Sequence, residues 1–177
     1  MRLSIFFLAA LASGIATANY NIKLYEHRNC LVKVGKMCNN IKARSCCEDR
    51  GKKYKSAKFE ETGSGSGSTD QLKLYTEAKC GGLAVQQHTG TSCLSHNKKD
   101  VQGAQVFVVI NARDEDNSRP AQIVEPDEAF MEEERFRYTV KRDSPEGQAY
   151  DRLERFEDQV EHLRVFGKRE EITEFEE

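Results

Sequence analysis

The tripeptide Lys-Leu-Tyr occurs twice in this chain, and in each case a cysteine follows after four more residues. The first copy spans residues 23–25 and leads to Cys30, and the second spans residues 73–75 and leads to Cys80. Repetition at a constant offset indicates an internal duplication in which each copy forms one supersecondary unit. The segment ETGSGSGSTDQ between the copies is typical of a flexible connection. The fold must therefore accommodate two related halves.

The alignment of the copies continues into their second halves once three loop residues are removed. Ser45 and Cys46 then align with Ser92 and Cys93, and the aligned pairs that follow are Lys52 with Lys99, Tyr54 with Val101, Ala57 with Ala104, and Phe59 with Val106. Apolar residues alternate with polar ones before the first cysteine of each copy, which is typical of β-strands. Each copy is thus predicted to run strand, cysteine, loop, cysteine, strand.

The first eighteen residues have the features of a secretory signal peptide. Arg2 precedes an apolar run at 3–12, and the small residues Ala16 and Ala18 follow. This order predicts cleavage after Ala18. No later segment has the length of a membrane span, so we expect a secreted, extracellular protein without one.

Six cysteines occur in the chain, all before residue 94. An even number in a small exported domain predicts three disulfides, each contributing about 2–4 kcal/mol. The cysteines are Cys30, Cys38, Cys46, Cys47, Cys80 and Cys93.

Charge and proline divide the chain after residue 110. Residues 19–110 contain 15 Lys and Arg against 8 Asp and Glu, whereas residues 111–177 contain 11 against 21, together with all three prolines. We predict a β-rich module at 19–110, a linker at 111–126 and a charged, partly helical or disordered acidic tail at 127–177.

Within the tail, apolar residues recur at helical spacing. Ser144 and Pro145 form a helix start, and a stripe from Tyr150 to Leu163 predicts an amphipathic helix over 145–166, with a weaker helical segment over 127–138. The stripe needs a partner, because isolated helices are marginal in water. It could dock on its own module, self-associate with another copy or bind a foreign protein.

Both copies resemble the Greek-key motif of the βγ-crystallins, over residues 20–110. YEHRNC at 25–30 and YTEAKCGG at 75–82 are similar to the family signature, which is an aromatic, four residues, a second aromatic, one residue and a glycine. KKYKSAKF at 52–59 and KDVQGAQVF at 99–107 resemble its closing strand. Cys30 and Cys80 replace the second aromatic, and only the second copy has the glycine, Gly82. The resemblance implies a mainly β fold, with two Greek keys forming one disulfide-stapled β-sandwich.

The resemblance also carries expectations about disulfides and calcium. Equivalent bridges in the two copies would join Cys30 to Cys46 and Cys80 to Cys93, leaving Cys38 for Cys47. Many microbial family members bind Ca²⁺ through paired Asn or Asp residues and a Ser or Thr. The matching residues are Lys52, Lys53 and Ser56 in one copy and Lys99, Asp100 and Gly103 in the other. Lysines repel a dication, so we expect that neither site binds Ca²⁺.

The sequence contains no recognised catalytic or cofactor-binding motif, such as GxSxG, a Walker loop or HExxH, and no histidine arrangement typical of a metal site. Positive charge is concentrated in the first copy, which favours a polyanion-binding surface. Aromatic interleaving is sparse, which disfavours nucleic acid. The candidate binding residues are Arg28, Lys33, Lys36, Lys42, Arg44, Lys52, Lys53 and Lys55.

Two dibasic pairs in the tail, Lys141 with Arg142 and Lys168 with Arg169, resemble kexin-type processing sites. Cleavage there would release a basic module that the acidic tail had shielded.

These features predict a secreted, non-enzymatic binding protein, effector-like or defence-type. Its target would be extracellular or on a host or cell surface, either a polyanionic glycan or a protein. Two alternatives stay open. One is a toxin-like or antimicrobial protein, a class that the resemblance implies, and the other is a secreted hydrolase whose site the sequence does not display.

Overall fold

The computed structural model describes residues 18–62, 69–108 and 120–172. All but Ala18 of the predicted signal peptide, and much of the predicted linker, lie outside these ranges. Within them the chain forms twelve β-strands and two α-helices. The strands are β1 (Asn19–Tyr25), β2 (Val34–Lys42), β3 (Ser45–Glu48), β4 (Ser56–Thr62), β5 (Gln71–Tyr75), β6 (Gln86–Thr89), β7 (Leu94–Ser95), β8 (Gly103–Phe107), β9 (Gln122–Val124), β10 (Glu128–Glu133), β11 (Phe136–Lys141) and β12 (Lys168–Glu171). The helices are α1 (Pro145–Tyr150) and α2 (Phe156–Phe166).

The strands form two sheets, and each repeat copy contributes to both. The seven-stranded sheet has the order β12-β11-β10-β2-β1-β4-β7, and the five-stranded sheet has the order β6-β5-β8-β3-β9. In each copy the first, second and fourth strands lie side by side in one sheet. The third strand leaves them and pairs with the fourth strand of the other copy. The mainly β, disulfide-linked architecture is as predicted.

Strand pairing follows the sequence alignment of the two copies. Leu24 is opposite Ala57 in the first copy, and Leu74 is opposite Ala104 in the second. The aligned residues Tyr54 and Val101 pair with each other, with reciprocal N–H···O bonds of 2.8 Å. Because corresponding positions of the two copies meet, the copies are related by an approximate two-fold axis that passes near this pair.

The main core lies between the two sheets. It is built from the alternating apolar residues of β1 and β5 together with their partners on β4 and β8, and it includes Tyr20, Ile22, Leu24, Phe59, Leu72, Leu74 and Val106. The hydroxyl of Tyr20 donates to Asp70 at 2.6 Å, so this buried phenol keeps a hydrogen-bond partner.

All six cysteines form disulfides, but two of the three expected pairings are wrong. Cys38 bonds to Cys47 as expected, whereas Cys30 bonds to Cys93 and Cys46 to Cys80. The exchange of third strands explains the difference, because β3 brings Cys46 into the sheet of the second copy and β7 brings Cys93 into that of the first. The two bridges are therefore equivalent, but each joins one copy to the other.

Gly103 lies against the Cys46–Cys80 disulfide, which fits there because glycine has no side chain. A Cβ atom at Gly103 would lie 2.8 Å from the Sγ of Cys80 and 3.1 Å from the Sγ of Cys46. Any side chain there would displace the disulfide.

The C-terminal segment differs from its prediction. Residues 127–138, expected to be helical, belong to the β10–β11 hairpin, and β10 pairs with β2. Phe130 packs edge-on against Tyr25 with ring centroids 5.3 Å apart. The predicted linker also contains β9, which runs parallel to β3. The seven-stranded sheet thus contains strands from both sides of the predicted boundary.

The predicted helix over 145–166 is present as two shorter helices, with a break at residues 151–155. Ser144 caps α1 by accepting from the Gly147 N–H at 3.0 Å, as its position before Pro145 predicts. Tyr150 and Leu163 are buried against the β10–β11 hairpin and Val34. Four members of the apolar stripe, Tyr150, Phe156, Val160 and Leu163, thus pack on the chain's own sheet, while self-association through this region stays a prediction.

Candidate anion-binding surface

Four loops lie together at one end of the sandwich, and we call this region the basic end. Lys55 donates its backbone N–H to Tyr25 at the end of β1, and Gln102 makes the equivalent 2.8 Å bond to Tyr75 at the end of β5. The Tyr54–Val101 pair joins the two sides. The loops of the basic end are residues 26–33, 49–55, 76–85 and 96–102.

Two of these loops have matching, constrained backbones. Asn29 and Cys30 have φ values of 57° and 50°, and Lys79 and Cys80 have 60° and 47°. Such values are uncommon in non-glycine residues and persist only where the surroundings impose them.

Hydrogen bonds and disulfides hold both loops in place. The Asn29 N–H donates to the Ser95 hydroxyl at 2.7 Å, and the Lys79 N–H donates to the Glu48 carboxylate. Since disulfides also anchor Cys30 and Cys80, the loops present their side chains in a fixed arrangement.

The basic end carries a large excess of positive charge. Its loops contain nine Lys and Arg residues against four Asp and Glu residues. Of the nine, Arg50 pairs with Glu125 at 2.8 Å and Lys55 pairs with Asp100. The others are exposed and form no ion pair with any residue in the described ranges; they are Arg28, Lys33, Lys52, Lys53, Lys79, Lys98 and Lys99.

The four acidic residues of the basic end offset only part of its positive charge. The hydrogen bond from Lys55 holds the pKa of Asp100 below its usual range, and nearby Lys53 and Arg28 add to this effect. Glu26 is half-buried, and burial raises its pKa despite nearby Lys52. Asp49 is buried below the loop and accepts from the Tyr54 hydroxyl at 2.9 Å.

The structure brings five of the eight predicted binding residues together. Arg28, Lys33, Lys52, Lys53 and Lys55 lie at the basic end. Lys42 ends β2, roughly 26 Å along the strand from Val34, and Arg44 follows it. Lys36 is 3% exposed and pairs with Asp49 at 3.0 Å and with Asp151, so it belongs to no binding surface.

Lys79, Lys98 and Lys99 of the second copy join the basic end without having been predicted. The alignment of Lys99 with Lys52 is the sequence signal that could have found one of them, because aligned loops of a two-fold pair meet at one end. Lys79 aligns with Asn29, so its position could be inferred although its charge is not shared.

The dibasic pairs lie within folded elements. The Arg142 N–H donates to the Asp127 carbonyl at 2.8 Å, and its guanidinium contacts Asp49 and Glu125 at 3.3 and 3.1 Å. Lys168 and Arg169 lie on the edge strand β12, where the guanidinium of Arg169 stacks 3.5 Å from the ring of Phe136. Processing at either pair stays a prediction.

His27 and His96, both at the basic end, make structural contacts. His96 accepts the backbone N–H groups of Lys98 and Lys99 at 3.2 and 2.9 Å, and the ring of His27 packs edge-on against Phe156. No three His, Cys, Asp or Glu side chains of the described residues are grouped so as to hold a metal ion. Ser56 and Asp100, at the expected calcium positions, contact the His27 carbonyl and Lys55.

A surface groove of about 550 Å³ lies beside the β10–β11 hairpin. Four carboxylates and two cations line it, and one of these cations is Arg142, already paired with carboxylates.

No helix within the described parts of the chain is long and apolar enough to cross a membrane.

A protein-family model describes the greater part of this fold. The model of ARB_05566_N, an N-terminal domain, matches residues 21–128, which run from β1 to the first residue of β10. Comparisons with curated proteins and with solved structures find no match. Because the family model covers more than half of the sequence, the chain belongs to the ARB_05566_N family.

Proposed function

We propose that this chain is a secreted, non-enzymatic binding protein that recognises a polyanionic extracellular or cell-surface target through its basic end, in an effector-like or defence-type role. The observation that carries the proposal is the set of seven exposed, ionically unpaired cations on four loops at one end of the sandwich. Clustered charge of one sign raises the local concentration of an oppositely charged partner and accelerates its association.

The constrained loops support binding through this surface. Cations on flexible loops lose conformational entropy when they bind, whereas loops held by disulfides and backbone bonds have already lost part of it.

We also propose that the module is a βγ-crystallin-like pair of Greek keys. The strand orders β2-β1-β4-β7 and β6-β5-β8-β3 support this, because in each the first, second and fourth strands of one copy adjoin the third strand of the other. Three disulfides support an oxidising, extracellular location, in agreement with the predicted signal peptide.

Retention on immobilised heparin, an acidic polysaccharide, tests the proposal. A variant in which Lys52, Lys53, Lys98 and Lys99 are all changed to Ala should elute at a much lower salt concentration than the natural chain. Less salt is needed because fewer charge contacts between the protein and heparin have to be screened before the protein is released. A control with Lys42, Lys141, Arg152 and Lys168 changed to Ala loses the same charge from exposed positions outside the basic end. Equal shifts in both variants would show that net charge alone, rather than the basic end, governs binding.

A further inference from the structure

Two leucines project from the basic end. Leu31 is 78% exposed and Leu83 is 89% exposed, and among the described residues these are the most exposed large apolar side chains. Each lies in the loop between the first two strands of its copy, so one projects beside each sheet. Isolated exposed leucines are ordinary, but two at equivalent loops of a two-fold pair form a repeated feature.

The loops hold both leucines away from the core. Leu31 follows the bridged Cys30, and its N–H donates to the Arg28 carbonyl at 3.2 Å. Leu83 follows Gly82, whose φ of 70° turns the chain outward after the bridged Cys80.

Exposed cations of the basic end lie close to both leucines along the chain, and Leu31 also borders a groove with Phe156 and Val160 of α2. Arg28 and Lys33 lie within three residues of Leu31, and Lys79 lies four residues before Leu83. The remaining cations, on the two loops joined by the Tyr54–Val101 pair, lie between the leucine loops. The arrangement is an apolar tip on each side of a basic surface.

Among the candidate polyanions, an anionic bilayer offers a charged layer with a continuous apolar layer directly below it. Lysine and arginine side chains pair with phosphate and carboxylate headgroups, while apolar side chains enter the boundary with the acyl chains. A polysaccharide or a nucleic acid backbone would leave both leucines in water. The combination therefore favours lipid.

We propose that the basic end docks on anionic lipid bilayers, with Leu31 and Leu83 inserted at the headgroup boundary and the surrounding cations on the headgroups. This proposal rests on the proposed polyanion-binding function and names the target as a membrane surface. Binding is peripheral and reversible, because two leucines provide far less apolar area than a membrane-spanning helix.

Sedimentation with vesicles tests the docking. The natural chain should bind vesicles of phosphatidylcholine with about 30 mol% phosphatidylserine and should not bind pure phosphatidylcholine. The double variant Leu31→Ser with Leu83→Ser should bind the anionic vesicles about 100-fold more weakly, roughly tenfold for each leucine. Val165→Ser, at a residue 59% exposed on α2, is the matched control and should bind like the natural chain.

Fluorescence tests the insertion directly, because the sequence contains no tryptophan. In Leu83→Trp, emission should shift to shorter wavelength when anionic vesicles are added, as the indole leaves water. In Val165→Trp the emission should not change.

The outcomes separate this proposal from the function on which it rests. Heparin retention without binding to anionic vesicles overturns lipid docking and leaves polyanion binding intact. Undiminished vesicle binding by the leucine double variant also overturns it, and normal heparin retention of that variant would show that it is folded. Failure to bind both heparin and vesicles overturns both proposals.

Discussion

Lys23 belongs to the repeated Lys-Leu-Tyr motif, yet its side chain is only 1% exposed. Its ammonium group pairs with Glu60 and lies 2.7 Å from Glu132, which Arg137 also contacts at 2.8 Å. The aligned Lys73 is half-buried, with its ammonium group 4.4 Å from the ring centroid of Phe107. The same residue of the repeat thus has an electrostatic role in one copy and an aromatic contact in the other.

Replacing Glu132 with Gln should destabilise the fold by about 2–3 kcal/mol at neutral pH, less than complete loss of a buried pair because Glu60 still contacts Lys23. Burial opposes ionisation of Glu132, but Lys23 and Arg137 hold its pKa below the usual 4.5. The stabilisation that ionised Glu132 gives to the fold is therefore present above pH 4.5 and is lost as the pH falls through the lowered pKa. Denaturant unfolding from neutral to acid pH should show a shallower loss of stability in the variant.

Glu133→Gln provides the control. Glu133 is the neighbouring residue, but it is exposed and pairs with the exposed Arg164. Its substitution should change stability by less than about 1 kcal/mol. Equal effects at both positions would contradict the buried network.

The sequence could predict which apolar residues are buried but could not predict these charged pairs. Ile22 and Leu24 alternate with polar neighbours, so their burial follows from strand periodicity alone. Lys23 and Lys36 find Glu132 and Asp151 at separations of 109 and 115 residues. Such long-range pairing leaves no local signal in the sequence. For this reason the sequence places Lys36 on the candidate surface, although the side chain is buried.

At the level of elements, the sequence pattern did not predict the β10–β11 hairpin, because β10 is buried on both of its faces. Ala129 and Met131 pack towards the helices, while Phe130 packs against Tyr25 and Met37 on the opposite face. The three together form a continuous apolar run rather than an alternating one, and periodicity does not separate a short run of this kind from a helix. The repeat, by contrast, predicted the first and last strands of both copies, β1, β4, β5 and β8, and the error in two disulfides came from assuming that each copy closes on itself.

The disulfides should differ in their sensitivity to reductant. Cys30 and Cys93 are half-buried, whereas the other four cysteines are fully buried. Brief treatment of the native protein with a mild reductant should therefore open the Cys30–Cys93 bridge first, and alkylation with peptide mapping would identify its two thiols. This bridge closes the longest loop, with a separation of 63 residues, so its loss should cost about 4 kcal/mol.

The Cys38–Cys47 bridge is the internal comparison. It spans only 9 residues and should contribute about 2.5 kcal/mol in the same loop-entropy model. Early labelling of its cysteines, or a peptide linking Cys30 to Cys46, would contradict the structure.

For the whole molecule, the C-terminal segment completes the seven-stranded sheet. β10 covers the edge of β2, and Phe130 packs between Tyr25 and Met37. A module cut at residue 110 would therefore have an unpaired edge strand and a missing aromatic contact, whereas cleavage after Arg142 would leave β10 and Phe130 in place. Cleavage after Arg142 would also require local opening, because its backbone and side chain are both bonded.

A chain that ends at Ile110 should be less stable than the full protein and should self-associate. Loss of Phe130 alone removes packing worth about 3–5 kcal/mol, and the exposed edge of β2 can pair with another copy. Thermal melting and size-exclusion chromatography would measure both effects. A chain ending at Ile172 is the control. A 19–110 fragment that is monomeric and has the same melting temperature as the full protein would show that the module is independent, as the sequence predicts.

The exchange of third strands has a consequence for biosynthesis. In a chain exported through the predicted signal peptide, Cys30 and Cys46 emerge from the translocation channel before their partners Cys93 and Cys80. At about 5–20 residues per second, Cys30 waits on the order of ten seconds for residue 93. During that interval Cys30 and Cys46 are free to oxidise with each other. Any Cys30–Cys46 bridge formed in that interval has to be exchanged before the native bridges can close, so the yield of an exported chain should rise with the disulfide-isomerase capacity of its compartment.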